Sequence, residues 1–163
     1  MVVNPCRCGW YGDKEHPCEC TPSEIKKYHQ RISGPLLDRI DINVRISRVK
    51  YEELSSKSKA EPSAVIRKRV VAARAIQLKR LSPYHLFCNA QMNHALLQRF
   101  CILEPKAQSL LEQAFRNMHL SARSYDRIIK VARTIADLAG TENIEALHIA
   151  EAIQLRNDKD YEI

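Results

Sequence analysis

Four cysteines fall within one short stretch, as Cys6-x-Cys8 and Cys18-x-Cys20. Two thiol pairs brought face to face by a tight reversal can close a tetrahedron around a soft divalent cation, and zinc takes thiolate sulfur in that geometry. The intervening Gly9-Trp10-Tyr11-Gly12-Asp13-Lys14-Glu15-His16-Pro17 supplies two glycines and a proline, residues that suit such a turn. The opening Met1-Val2-Val3-Asn4-Pro5 lacks the basic and apolar regions of a secretion signal. In a reducing compartment metal ligation wins over disulfides. The expectation is a zinc site with Cys6, Cys8, Cys18 and Cys20 as ligands; the alternative is four reduced thiols without metal. His16 is a weaker candidate to replace one of them. Trp10 and Tyr11 beside Arg7 and Lys14 suit base stacking with phosphate contacts, and equally suit packing beneath a metal knuckle. Cys88 and Cys101 stand alone and read as small buried hydrophobes.

The elements that must hold these groups are mainly helical. The chain has 163 residues, 45% of them hydrophobic, which suits about one domain with a packed core. Only 4 glycines and 7 prolines disfavour an all-β chain, which needs many tight turns. No apolar run approaches the ~20 residues of a membrane span. A cytoplasmic protein with no membrane partner is expected. The net charge of +7 is unevenly spread. Residues 51–100 carry 9 basic against 3 acidic side chains, whereas residues 101–163 carry 8 against 10. A basic middle attracts phosphate, or serves as a solvated helix face.

Along the chain, Val2-Val3 reads as the end of a strand. Thr21-Pro22-Ser23-Glu24 opens a helix running to about Ile32, with Thr21 as N-cap and Glu24 closing a capping box. Leu36–Arg39 reads as a helical turn, and Ile40–Ile46 alternates with period two, as a half-buried strand does. Residues 51–60 read as a linker around a turn at Tyr51–Leu54. Helices follow over Glu61–Lys79, Asn93–Phe100, Glu104–Met118, Ser121–Ala139 and Asn143–Leu155. Their apolar positions recur at i, i+3, i+4 and i+7, which gives each a face to bury, such as Val65, Ile66, Val70, Ala73 and Ile76 in the first. Such helices can cover one another as a small bundle.

Three segments together carry a family resemblance: Asn4-Pro5-Cys6-x-Cys8-Gly9, Ser33-Gly34-Pro35-Leu36-Leu37-Asp38-Arg39-Ile40-Asp41, and Leu120-Ser121-Ala122-Arg123-Ser124-Tyr125-Asp126-Arg127-Ile128. In this order they resemble the C-terminal part of the magnesium-chelatase-like AAA+ ATPases of the ComM/YifB type, from Val3 to about Arg156. The resemblance implies a remnant of an α/β nucleotide-binding core over residues 1–50, a linker over 51–60 and a four-helix lid-type bundle over 61–163. It also implies ATP with magnesium as cofactor, neighbouring subunits of a hexameric ring as partners, and DNA as the substrate of branch migration in natural transformation. Asn4 matches the sensor-one position, Arg39 the arginine finger and Arg123 the sensor-two arginine, with Arg127 one turn further along as a supporting nucleotide contact. Without the resemblance these four residues read as a turn residue, a surface ion pair and two solvent-facing helix charges.

The sequence departs from the family in lacking a Gly-x-x-x-x-Gly-Lys-Ser/Thr phosphate loop and the acidic strand end that holds magnesium. It therefore reads as a C-terminal fragment that does not hydrolyse ATP by itself. The competing expectations are a stand-alone zinc-stabilised nucleic-acid-binding module and a helical interaction module.

Overall fold

Thr21 starts the first helix, α1 (Pro22–His29), as the sequence suggests. Its hydroxyl accepts from the Glu24 N–H while the Glu24 carboxylate accepts from the Thr21 N–H, so two helix-end donors are satisfied reciprocally. The Thr21 N–H beside Glu24 also holds that carboxyl below its usual range. In this computed structural model the described residues are 3–31, Leu36, 39–44, Ile46, Val49, Tyr51, Ser55 and 60–156. Helix α1 ends earlier than expected, with Gln30 as C-cap, and Ile32 lies outside the described residues. Two compact units divide between Ile40 and Asp41.

The first unit contains the cysteine turn and α1. The Gly9 N–H donates to the Cys6 carbonyl and the Asp13 N–H to the Trp10 carbonyl, and Gly9 and Gly12 take the positive φ values these reversals need. The Asp13 carboxylate closes the turn by accepting from the Glu15 and His16 N–H groups. Of the Leu36–Arg39 turn only its ends are described, and the Arg39 N–H donates to the Leu36 carbonyl at 3.0 Å. The turn expected at Tyr51–Leu54 lies outside the described residues, Tyr51 excepted.

No strand forms among the described residues, which corrects the reading of Ile40–Ile46 and of Val3; Val2 and Arg45 are outside them. A period-two pattern specifies a face, but a ladder also needs a neighbouring strand. Here the Asn43 N–H donates to the Leu155 carbonyl at the end of the last helix, and Ile42, Val44 and Ile46 are exposed.

The second unit is helical: α2 (Ser63–Leu81), α3 (His94–Phe100), α4 (Pro105–Asn117), α5 (Ala122–Ala139) and α6 (Ala146–Gln154), with 3-10 turns at Ser82–Tyr84 and Asn89–Gln91. Helix α5 is the hub, packing against α2, α3, α6 and the second 3-10 turn, while α4 packs against α6. Its core face presents Ile128, Ile129, Ala132 and Ala136 to Leu81, Met92, Leu97, Leu111, Ile144 and Ile149. Each large aliphatic side chain buried there contributes roughly 1.5–3 kcal/mol.

Two readings of this unit need correction. The stripe on α2 is core only at Ala73; Val65, Ile66, Val70 and Ile76 are exposed, because the buried positions of the helix begin at Ala73 and, among the described residues, it is the C-terminal half that packs. Helix α6 starts at Ala146 rather than Asn143. Ile144 instead forms a parallel bridge with Leu103, accepting from the Glu104 N–H and donating to the Ile102 carbonyl, and extended backbone there excludes a helix.

Helix α5 has the ends its sequence implies. The Ser121 hydroxyl accepts from the Ser124 N–H, and Gly140 terminates the helix at φ +75°. Nothing lies within 4 Å of a Cβ placed at Gly140, so the cost of a side chain there is backbone strain alone. Gly140→Ala should therefore destabilise the helical unit by about 1 kcal/mol in urea unfolding.

Candidate metal centre and nucleotide-contact positions

The turn and the start of α1 bring all four expected cysteines together. Cys6 Sγ lies 3.3 Å from Cys8 Sγ and 3.7 Å from Cys18 Sγ, with 3.6 Å between Cys8 and Cys18. All four sulfurs, that of Cys20 included, lie within 4.8 Å of one another. A tetrahedron with zinc–sulfur bonds of about 2.3 Å has edges of about 3.8 Å. These spacings fit that cage and exceed the ~2.05 Å of a disulfide bond. Cys6 is fully buried and the other three are half-buried.

Their acidities diverge. The Trp10 N–H beside Cys8 holds that thiol down at about 6, whereas burial pushes Cys18 up to about 12. Four thiols this close cannot all ionise unaided, and a divalent cation removes the conflict by sharing the charge. His16 is not part of the cluster: its ring stacks on Trp10 at 4.4 Å. Tyr11 meets His29 edge-on. Both aromatic rings of the hairpin thus have ring partners within their own unit.

Asn4, two residues before the first ligand, is exposed, and so is Arg39. In the second unit Arg123 occupies the second position of α5 and is exposed, at the helix end where free N–H groups favour an anion. Ser124, the next residue, is buried and accepts from the Arg156 guanidinium at 3.1 Å, which fixes the first turn of α5. Arg127 forms an ion pair with Asp41. Lys130 donates to the Ala90 carbonyl at 3.0 Å. Helix α2 carries Arg67, Lys68, Arg69, Arg74, Lys79 and Arg80 and no acidic residue. Of these, Arg69 pairs with Glu61.

The sequence reading missed a buried ionic network behind α5. Arg133 and Asp137 lie one turn apart, both almost wholly buried, with Arg133 Nε 3.1 Å from Asp137 Oδ1. Arg80 forks onto both oxygens of the same carboxylate, at 2.5 and 3.1 Å, and Asn89 donates to it at 2.8 Å. Arg133 also donates to the Thr141 and Glu142 carbonyls, tying down the chain after the helix. Burial draws the Arg133 guanidinium below its usual value, partly offset by the Asp137 charge. The signal was present in the sequence: Arg133 falls four residues after Ile129, in phase with the buried stripe. Cys101 is buried as expected, its thiol pushed up to about 12, whereas Cys88 is half-buried.

Two family models cover most of the chain. That for the C-terminal part of the magnesium chelatase subunit ChlI matches residues 60–156, and that for the magnesium chelatase subunit ChlI matches residues 1–54. The chain belongs to the magnesium chelatase ChlI family. Its relatives include competence protein ComM of Haemophilus influenzae and the uncharacterized protein YifB of Escherichia coli, each 36% identical over 156 residues, covering 95% of this chain and 30% of the relative. An uncharacterized protein of Mycobacterium tuberculosis is 31% identical over 156 residues, covering 96% of this chain and 30% of the relative. Within the family the chain is thus of the ComM/YifB kind, and it spans less than a third of the length of these curated relatives. Among the described residues, no helix is long and apolar enough to cross a membrane.

Proposed function

We propose that this chain is the sensor and lid portion of an AAA+ ATPase that works as a hexameric ring on DNA, driving branch migration with ATP and magnesium. The observation that carries this is the match of both magnesium chelatase family models, in order, to this chain; Arg39 and Arg123, which this reading takes as finger and sensor two, are both exposed. Residues 1–50 would close the nucleotide-binding core, 51–60 link, and 61–163 form the lid. The phosphate loop and magnesium ligands are not in this sequence, so hydrolysis needs residues beyond it.

On this reading Arg39 reaches a neighbouring subunit's nucleotide and stabilises charge that develops on the transferring phosphoryl group. Arg123 contacts the γ-phosphate of its own subunit, assisted by the N–H groups at the start of α5. Asn4 orients the attacking water by a side-chain hydrogen bond. Arg127 would join the phosphate contacts by exchanging the Asp41 carboxylate for phosphate. The four thiolates of Cys6, Cys8, Cys18 and Cys20 would hold zinc as a structural ion, and the exposed Arg67, Lys68, Arg74 and Lys79 of α2 would meet the DNA backbone.

Replacing Arg123 by alanine in the full-length ATPase tests the assignment. Loss of one or two charge-assisted hydrogen bonds should raise the KM for ATP by about 10- to 100-fold. Unchanged KM and kcat in a correctly assembled ring would overturn it.

A further inference from the structure

Among its described residues the first unit buries only two apolar side chains, Cys6 and Ile25. That is too little to fold a segment of this length through the hydrophobic effect alone. Helix α1 has eight residues, well below the ~12–15 at which an isolated helix becomes marginal in water. Yet α1 is fixed at both ends to the cysteine cluster. At its start, Cys20 directly precedes the Thr21 N-cap. At its end, His29, itself buried, donates from Nε2 to the Pro5 carbonyl at 2.6 Å, and Pro5 directly precedes Cys6.

We propose that residues 3–31 are a metal-dependent folding unit, in which a zinc ion held by Cys6, Cys8, Cys18 and Cys20 takes the place of an apolar core and α1 forms only when the ion is bound. The proposal rests on the zinc reading above and adds that metal binding is the folding step. Joining the first and last ligands closes the turn, sets Thr21 where it can cap, and brings Pro5 to the height of His29. The ion's binding free energy then appears as helix stability, as in other small metal-built modules. The second unit, with its own core around α5, folds without it.

The test uses the whole chain, stripped of metal by a chelator under reducing conditions and titrated with cobalt(II) and then zinc. The visible bands of tetrahedral cobalt–thiolate coordination should saturate at one ion per chain. Amide exchange at residues 22–29 should slow by at least about tenfold on metal addition, and exchange across α4 to α6 should stay within about twofold. Cobalt bands at one equivalent with unchanged exchange at 22–29 would overturn the folding proposal and leave the metal site standing. No saturable cobalt binding would overturn both. His29→Ala keeps every ligand and cuts the tie to Pro5. It should retain the cobalt spectrum while residues 22–29 lose most of the metal-dependent protection, and full protection in that variant would overturn the role given to this hydrogen bond.

Discussion

In a full-length ATPase carrying this segment, Arg39→Ala is expected to lower ATP turnover by about 10³-fold or more, with nucleotide affinity changed only a few-fold. The asymmetry follows from the proposed role. A finger acts on charge that develops during transfer, so its loss removes transition-state stabilisation and little ground-state binding. Arg39→Lys should recover only a small part, because an ammonium lacks the planar fork that spans two phosphate oxygens. Mixed rings decide whether the group acts in trans. Subunits with Arg39→Ala, combined with subunits whose phosphate loop is disabled, should regain turnover, since each kind supplies what the other lacks. A turnover loss below about twofold in assembled rings would remove Arg39 from the machinery.

The second large effect concerns stability. Asp137→Ala leaves Arg133, 1% exposed, and Arg80, with its side chain 14% exposed, without their shared carboxylate. Removing one partner of a buried ionic network strands the rest, at a cost of about 3–5 kcal/mol. Urea unfolding of the helical unit should show a lower midpoint at an unchanged slope. Asp137→Asn keeps the shape and one acceptor oxygen but not the charge, so it should fall between the two. A loss below about 1 kcal/mol for the alanine variant would mean that water or neighbouring groups compensate both guanidinium groups.

Helix α5 was legible because its signals are local: a serine that caps, a glycine that accepts positive φ, and apolar residues at helical spacing between them. The cysteine cluster was legible for the same reason, since ligand type and spacing carry the chemistry. The start of α6 was not, because what keeps Ile144 extended is its bridge to Leu103, forty-one residues earlier in the sequence. The strand pattern of Ile40–Ile46 misled because alternation reports which side chains share a face and not whether a neighbour exists to pair with. The α2 stripe misled in a related way: a helix can repeat apolar residues over its whole length and find cover for only half. Arg133 and Asp137 carry an ambiguous signal, because an opposite-charge pair one turn apart usually marks a solvated surface; the phase of Arg133 with Ile129 is the better guide. Arg39 and Arg123 came from resemblance, and spacing alone would have left them as surface charges.

The ten residues of α2 before Ala73 are all exposed. At 1.5 Å of rise per residue they make a rod of about 15 Å, in a helix that, among the described residues, is buried only towards its far end. Any tilt of the packed end against α5 is magnified along that rod: a turn of about 10° moves Ser63 by roughly 3 Å. Small angular changes in the bundle would thus leave it as a swing of about 3 Å at the start of α2.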